Sequence, residues 1–355
     1  MNKTRWGVFL GSCVMAVSLF LLTPVKGYSL SFGEALYSDP RYFESYIQYG
    51  NFISYSLPVL ALIYGGQNTP FDIPGSPGQI SDDIVIMTGT NNANVNSNPD
   101  GMDNPYKTPS TNASSTFSTH LAADPDPSGP FAGDQPFTWD ISIAALTQYL
   151  DGLDMFFFFN HNETNSGDSQ DLRIWTQLAI RDSTGQTEAL YFDLRSMGPD
   201  GSGIFQGDPL TFSSPGLLSG GELGDGSASP GPSQADFVLS PGQVCLDANF
   251  SPTACTSGTT TVNHNLGVNE VAYAVTAPAV NLFLRNWTAD SVYDVISMDI
   301  RMYDISNGYE QAFIRGVQTS STVTPDPIPE PSTILLLGAG MVGLALFGRK
   351  RMHKE

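Results

Sequence analysis

Ten consecutive residues near the middle of the chain alternate between two kinds of side chain. The even positions of residues 172–181 hold leucine, isoleucine or threonine, and the odd positions hold arginine, tryptophan, glutamine or alanine. Because successive side chains of a strand point to opposite sides of its sheet, this period of two predicts a half-buried strand. A turn at residues 182–185 and a second apolar run at residues 189–194 follow it. Together these segments predict a β-hairpin.

Other apolar and aromatic runs extend this pattern over the body of the chain. An aromatic-rich segment at residues 32–63 has side chains near helical spacing and predicts one amphipathic helix. Many strands joined by glycine and proline turns favour a mainly β fold. We expect an antiparallel β-sandwich, of which a jelly roll is one form, with a short N-terminal helical segment and a C-terminal transmembrane helix. The further strands are predicted at residues 83–87, 137–143, 155–159, 237–239, 270–275, 292–303 and 311–317.

Two polar segments interrupt the strand patterns. Residues 90–136 are rich in Asn, Asp, Ser, Thr, Gly and Pro, which predicts a long loop or several stacked turns. Residues 197–234 are rich in Gly, Ser and Pro, which predicts an exposed loop or a flexible join. The sequence thus indicates one β-rich exported domain at residues 28–322 that carries two long loops.

The first residues have the form of a secretory signal peptide. Lys3 and Arg5 precede an apolar stretch without charge at residues 7–22. This order predicts a signal peptide at residues 1–27, cleaved after Gly27. An uncleaved anchor helix and a lipoprotein signal at Cys13 are the alternatives, although the apolar stretch continues past Cys13.

The other end of the chain has three parts in a fixed order. A linker at residues 323–331 ends in Pro329, Glu330 and Pro331, an apolar run fills residues 332–348, and a basic tail occupies residues 349–355. At ~1.5 Å rise per residue the apolar run is just long enough to cross a bilayer as a helix. Basic residues stay on the cytoplasmic side, so the proline motif faces outward. The two prolines keep that motif extended and accessible to an enzyme.

This order of parts resembles the PEP-CTERM family of sorting tails. The resemblance rests on Pro329, Glu330, Pro331, the apolar run and the basic cluster, and an ordinary C-terminal anchor is the alternative. It implies a Gram-negative host, processing by an exosortase-type enzyme, retention in the inner membrane through the C-terminal helix before processing, and delivery to the cell surface or an extracellular polysaccharide matrix. Since such tails occur on unrelated bodies, the resemblance indicates a location and no activity.

Charge limits the partners of the exported body. The chain has a formal net charge of −20, and because the signal peptide and the tail each carry +3, the body alone carries −26. So acidic a body excludes nucleic acid as a partner, because nucleic-acid binding neutralises phosphates with Lys and Arg. Divalent cations and neutral partners such as sugars remain compatible.

The mature body retains Cys245 and Cys255. An even pair in an oxidising compartment predicts one disulfide. The alternatives are a reactive thiol and metal ligation, for which His264 is the nearest histidine along the chain.

A polar cluster follows the apolar run at residues 156–159. Oxygen-bearing side chains on a loop between two strands suit calcium, which takes six to eight oxygen ligands, but a plain turn uses the same residue types. A second group, at residues 96–103, begins like an EF-hand loop but has Lys107 where the closing Glu belongs. The cluster comprises Asn160, His161, Asn162, Glu163, Asn165, Asp168 and Asp171, of which Asn160, Asn162, Glu163, Asp168 and Asp171 are the calcium candidates; the second group comprises Asn96, Asn98, Asp100, Gly101 and Asp103.

The chain contains no sequence motif of a serine hydrolase, a zinc protease or a thiol redox enzyme. We expect a non-enzymatic surface or matrix protein that associates with exopolysaccharide or a biofilm, without a cofactor other than calcium. One alternative is a secreted β-sandwich glycan hydrolase or lyase that uses Asp and Glu. Another is a sugar- or ice-binding module.

Overall fold

A computed structural model describes residues 31–38, 41, 45–89, 97–109, 116–125, 131–164, 170–196, 209–210 and 234–319. The predicted signal peptide, the sorting tail with its predicted membrane helix, Asn96, Asn165, Asp168 and most of residues 197–234 lie outside these ranges. Within them the protein is mainly β, with several sheets, few helices and no closed barrel. None of the described helices has the length and apolar content needed to cross a membrane.

The described elements are given in chain order. The helices are α1 (Phe32–Ser38), α2 (Leu57–Tyr64), α3 (Ile143–Leu150) and α4 (Pro278–Asn286). The strands are β1 (Ile47–Tyr49), β2 (Phe52–Ser56), β3 (Ile84–Thr88), β4 (Tyr106–Lys107), β5 (Thr116–Ser118), β6 (Trp139–Ser142), β7 (Asp154–Phe159), β8 (Asp171–Arg181), β9 (Leu190–Leu194), β10 (Val238–Pro241), β11 (Gln243–Leu246), β12 (Pro252–Thr253), β13 (Thr260–Asn263), β14 (Tyr273–Thr276), β15 (Val295–Tyr303) and β16 (Ala312–Val317).

Two large sheets form the body. The seven-stranded sheet has the order β1-β2-β14-β7-β16-β3-β4. In the six-stranded sheet, β8 and β15 pair along nine residues, β9 and β10 share the free edge of β8, and β5 and β6 share the free edge of β15. The hairpin predicted from the alternation at residues 172–181 is present as β8 and β9, with Ile180 opposite Leu190.

The prediction of one helix over residues 32–63 was wrong. Helices α1 and α2 occupy its ends, and the hairpin of β1 and β2 lies between them. Gly50, at φ +64°, makes the turn of this hairpin. In β2, Phe52 faces the core between the two large sheets, while Tyr55 faces the core beneath α1 and α2. The same aromatic residues thus serve two faces of a strand.

Serines and prolines mark where the helices begin. Ser56 ends β2 and caps α2 by accepting a hydrogen bond from the backbone N–H of Val59. Ser142 ends β6 and caps α3 in the same way, through Ala145. Pro278 occupies the first turn of α4, where its missing N–H costs nothing. Short caps therefore convert strands directly into the helices that close the core.

The polar segment at residues 90–136 is only partly a loop. It contributes β4 to the seven-stranded sheet, parallel to β3, and β5 to the six-stranded sheet, antiparallel to β15. Asn98 is buried and binds both backbone groups of Val85 through its amide. Polar composition did not keep this segment out of the sheets, since backbone pairing at a sheet edge requires no apolar side chain.

Two hydrophobic cores flank the seven-stranded sheet. One lies between the two large sheets and is closed by α3 and α4. The other lies between the opposite face of the seven-stranded sheet and α1 and α2. The outer face of the six-stranded sheet instead buries charge: Arg301 pairs with Asp299 at 2.6 Å and lies over the ring of Trp175.

A small third sheet of β12, β11 and β13 lies beside the large ones. The disulfide predicted between Cys245 and Cys255 is present, and it ties β11 to the chain that follows β12.

Candidate functional site

The space between the two large sheets contains a cavity of about 770 Å³. The seven-stranded sheet, the six-stranded sheet and the third sheet each contribute to its wall. Its main lining residues are Phe52, Ser54, Ser56, Ile86, Phe157, Phe159, Tyr273, Val275, Ile174, Thr176, Leu194, Ser240, Met298, Ile300, Val244, Leu246, Phe250 and His264.

The burial pattern of β14 is consistent with open space between the two large sheets. Tyr273 and Val275 point between the two large sheets and are only half-buried. Ala274 and Thr276, on the opposite face of the same strand, are 0% and 4% exposed. A strand inside a filled sandwich would be buried on its inner face, so the inner face here borders open space.

One end of the cavity is polar. Nε2 of His264 lies 2.6 Å from Oγ of Ser56, and the His264 ring stacks on Tyr273. Burial lowers the pKa of His264 to about 4. His161 is fully buried beside it, and burial together with the proximity of His264 lowers the pKa of His161 to about 4. Both imidazoles are therefore neutral at physiological pH.

The mouth of the cavity is aromatic and apolar. Tyr46 and Ile47 at the start of β1 line it, and both side chains are exposed. Phe250, in the turn between β11 and β12, is a further exposed lining residue. The disulfide of Cys245 braces this part of the wall. Exposed apolar side chains around a cavity are typical of a surface that contacts a ligand.

Three of the calcium candidates, Asn160, Asn162 and Glu163, follow β7 directly and have other partners, whereas Asp171 begins β8 and Asp168 lies outside the described residues. Asn160 accepts a hydrogen bond from the backbone N–H of Gln311, and Asn162 donates one to the carbonyl of Gly308. Glu163 accepts hydrogen bonds from the backbone and hydroxyl of Ser306. These contacts join the end of β7 to the turn before β16, and a calcium role for this cluster stays a prediction.

Glu310 is a neighbour of Glu163 that the sequence did not point to, since it lies 147 positions further along the chain. Glu163 is 3% exposed and Glu310 is 0% exposed. Burial raises the pKa of Glu310 to about 8, and the charge of Glu163 adds to this shift. Burial also raises the pKa of Glu163 to about 7. Glu310 therefore keeps its proton at neutral pH.

In the second calcium candidate, whose Asn96 lies outside the described residues, two side chains have other partners. The amide of Asn98 is used by the backbone of Val85 and by the carbonyl of Asp103. The carboxylate of Asp103 instead accepts a hydrogen bond from the backbone N–H of Asp140 at 2.7 Å.

Two family models match this chain, one at its C-terminal tail and one over its mainly β body. A model described as the PEP-CTERM protein-sorting motif matches residues 327–351, which confirms the predicted resemblance of the tail. The motif implies an exported protein of a Gram-negative bacterium that is processed by an exosortase. The chain belongs to the family described as domain of unknown function DUF8239, whose model matches residues 38–301. No curated protein and no solved structure matches the chain.

Proposed function

We propose that this chain is a non-enzymatic binding protein of the cell surface or extracellular matrix, and that its β-sandwich body holds an apolar or amphipathic small molecule. The observation that carries the proposal is the cavity of about 770 Å³ between the two large sheets. Small-molecule sites in proteins have volumes of ~300–1,000 Å³, mostly apolar walls and a few placed polar groups. The cavity has all three properties.

The walls favour a ligand with a hydrocarbon or aromatic body. Phe157 and Val275 face Ile174 and Ile300 across the cavity. Transfer of apolar surface out of water contributes about 25 cal/mol per Å². An apolar ligand would therefore gain free energy along the apolar part of the cavity.

The polar end favours a ligand whose inner polar group is uncharged. Ser56, Ser240 and the neutral imidazole of His264 offer hydroxyl and imidazole groups there. An ionised group placed at this end would have no opposite charge among these three side chains, and its desolvation would be costly. A hydroxyl, ester or amide group fits the site better.

Association with exopolysaccharide or a biofilm matrix is the setting that we propose for the mature protein. Export and exosortase processing support a role beyond the inner membrane, and we propose that the C-terminal helix holds the precursor there until cleavage. The acidic body is compatible with neutral glycans. Binding of the mature protein to the host's purified exopolysaccharide tests this setting, and absence of binding would contradict it.

A glycan hydrolase or lyase is the alternative from another class. Such an enzyme needs paired carboxyls that reach a sugar, whereas the side chains of Glu163 and Glu310 are enclosed. Their burial keeps this pair from contacting a sugar. Release of new reducing ends from surface glycans by the purified protein would overturn it.

Probe binding tests the cavity directly. Ser54 is a small residue of the cavity wall, so Ser54→Phe fills part of the space. We expect the wild-type protein to bind the apolar fluorophore N-phenyl-1-naphthylamine and Ser54→Phe to bind it at least ~10-fold more weakly, a loss of ~1.4 kcal/mol. Native mass spectrometry of the protein from its own host then gives the mass of the retained ligand.

Ser81→Phe is the matched control, because Ser81 is exposed and does not line the cavity. We expect this variant to bind the probe like the wild type. Equal probe affinities of Ser54→Phe and the wild type would place the probe elsewhere and contradict the proposed function.

A further inference from the structure

We propose that Asp103, Asp134 and Asp140 form a divalent-cation site, best suited to calcium, at the edge of the six-stranded sheet. This inference does not depend on the cavity or on its ligand. The three residues each offer a carboxylate oxygen, and these oxygens lie within 4.8 Å of one another. Oxygen-only ligand sets of this kind suit hard cations such as calcium and magnesium.

Backbone pairing holds the two inner carboxylates in place. The N–H of Asp103 donates to the carbonyl of Asp140 at 2.9 Å, and the N–H of Asp140 donates to Oδ2 of Asp103 at 2.7 Å. Both side chains are 0% exposed. Asp134 is exposed, so it gives the site an access path from solvent. The arrangement is rigid on its inner side and open on its outer side.

One oxygen of the site has no protein donor. Oδ1 of Asp103 is fully buried, and no described group donates a hydrogen bond to it. The oxygens of Asp140 differ, because they accept from Arg181, Ser297 and Thr138. A buried carboxylate oxygen without a donor is costly, and a bound cation would remove that cost. This oxygen is the observation that separates the site from an ordinary acidic cluster.

The negative charge around the site also favours a bound cation. Asp124, which accepts from the hydroxyl of Tyr106, adds a further negative charge close enough to act on Asp103. Arg181 pairs with Asp140 at 2.9 Å, and within the described part of the chain no ion pair involves Asp103 or Asp134. A bound divalent cation would compensate the negative charge of this cluster.

The geometry favours calcium over magnesium. Calcium accepts six to eight oxygens in an adaptable arrangement, whereas magnesium demands a near-ideal octahedron. Hydrogen bonds fix the carboxylates of Asp103 and Asp140, and fixed ligands suit the adaptable arrangement of calcium better than the near-ideal octahedron of magnesium. Extracellular calcium modules bind at ~10⁻⁴–10⁻³ M, and we expect an affinity in that range for an exported protein with this site.

The test uses the full chain, exported so that its disulfide forms. Terbium luminescence reports binding, because Trp139 precedes Asp140 and can sensitise a bound lanthanide. We expect the wild type to bind terbium, to release it to calcium, and to melt at a higher temperature in calcium than in chelator. Asp103→Asn is expected to weaken calcium binding at least ~10-fold, a loss of ~1.4 kcal/mol.

Asp103→Asn has a second expected effect that a merely structural role would not produce. Its amide can donate to the neighbouring carboxylates, so in chelator at neutral pH the variant is expected to be at least as stable as the wild type. Asp134→Asn changes an exposed ligand, so this variant is expected to fold normally and to bind calcium more weakly than the wild type. If Asp103→Asn does not fold, the calcium affinity of Asp134→Asn tests the proposed site. Asp82→Asn, on an exposed turn, is the control. The proposal would be overturned by a wild-type protein that does not bind calcium, or by an Asp134→Asn variant with wild-type calcium affinity.

Discussion

The space between the two large sheets has two halves that are packed differently. In the closed half, Ile180 of β8 and Ile296 of β15 pack with Leu146 and Leu150 of α3. In the open half, the same two strands present Ile174 and Ile300 to the cavity. One pair of strands therefore borders both a filled core and a void.

The difference comes from what covers each half. Helices α3 and α4 insert apolar side chains into the closed half, whereas the open half is walled by β1 and the small third sheet. Dense packing stabilises a fold, and binding requires space that the fold leaves unfilled. We infer that the closed half provides most of the stability and that the open half provides the binding site.

The same truncation made in both halves tests most directly whether they differ in packing. Ile296→Ala removes a fully packed side chain, and we expect it to lower the free energy of unfolding by about 3 kcal/mol. Ile174→Ala removes a half-buried side chain that already borders the cavity, and we expect a loss of about 1 kcal/mol. Urea denaturation of both variants measures the two losses. Equal losses would show that the halves do not differ in packing.

Removal of the disulfide tests the wall of the open half. We expect the double variant Cys245→Ser and Cys255→Ser to lose about 2 kcal/mol of unfolding free energy, because the short loop is no longer constrained in the unfolded chain. Its affinity for the fluorescent probe should fall as well, since Leu246 and Phe250 line the cavity. Denaturation and probe titration measure both effects. A variant that loses stability but keeps full probe affinity would show that the disulfide does not support the binding site.

The buried carboxyl pair beside the open half predicts a dependence of stability on pH. The pKa of Glu310 is raised to about 8 in the folded protein, so the folded state holds its proton more tightly than the unfolded state, where the pKa is near 4.5. Its contribution is complete below pH ~4.5 and is lost as the pH rises toward 8, and the two pKa values together correspond to a loss of about 5 kcal/mol.

Glu310→Gln is the variant that isolates this effect, because it keeps the size of the side chain and removes the titrating group. We expect its stability to fall less than that of the wild type between pH 4.5 and 8, as measured by urea denaturation at several pH values. Closed-half variants such as Ile296→Ala should retain the wild-type slope. Identical slopes for Glu310→Gln and the wild type would contradict the raised pKa.

Much of the strand content was predictable because it rests on local patterns. The alternation at residues 172–181 led directly to β8, and the apolar runs at residues 155–159 and 311–317 became β7 and β16. The prediction of one helix over residues 32–63 failed because aromatic spacing alone does not distinguish a helix from a strand that is buried on both faces. Its outcome was decided by pairing with β14, a partner more than 200 positions away.

The functional residues were harder to predict than the strands. His161 and Glu163 were noticed as members of a polar cluster, but Glu310 and His264 join them only through the fold. Asp103 was placed in an EF-hand-like run, while its structural neighbours are Asp134 and Asp140. Contacts between residues so far apart carry no periodic signal in a single sequence.

The sorting tail, the disulfide pair and the mainly β character could be predicted from the sequence, because each depends on residues that are close along the chain or few in number. Tertiary structure alone decided where the core stays unfilled, which carboxyls share a buried site and which histidines lose their charge. The physical reason is that cavities, desolvation and charge coupling arise between strands from distant parts of the chain. Their strength depends on distances that only the packed sheets set.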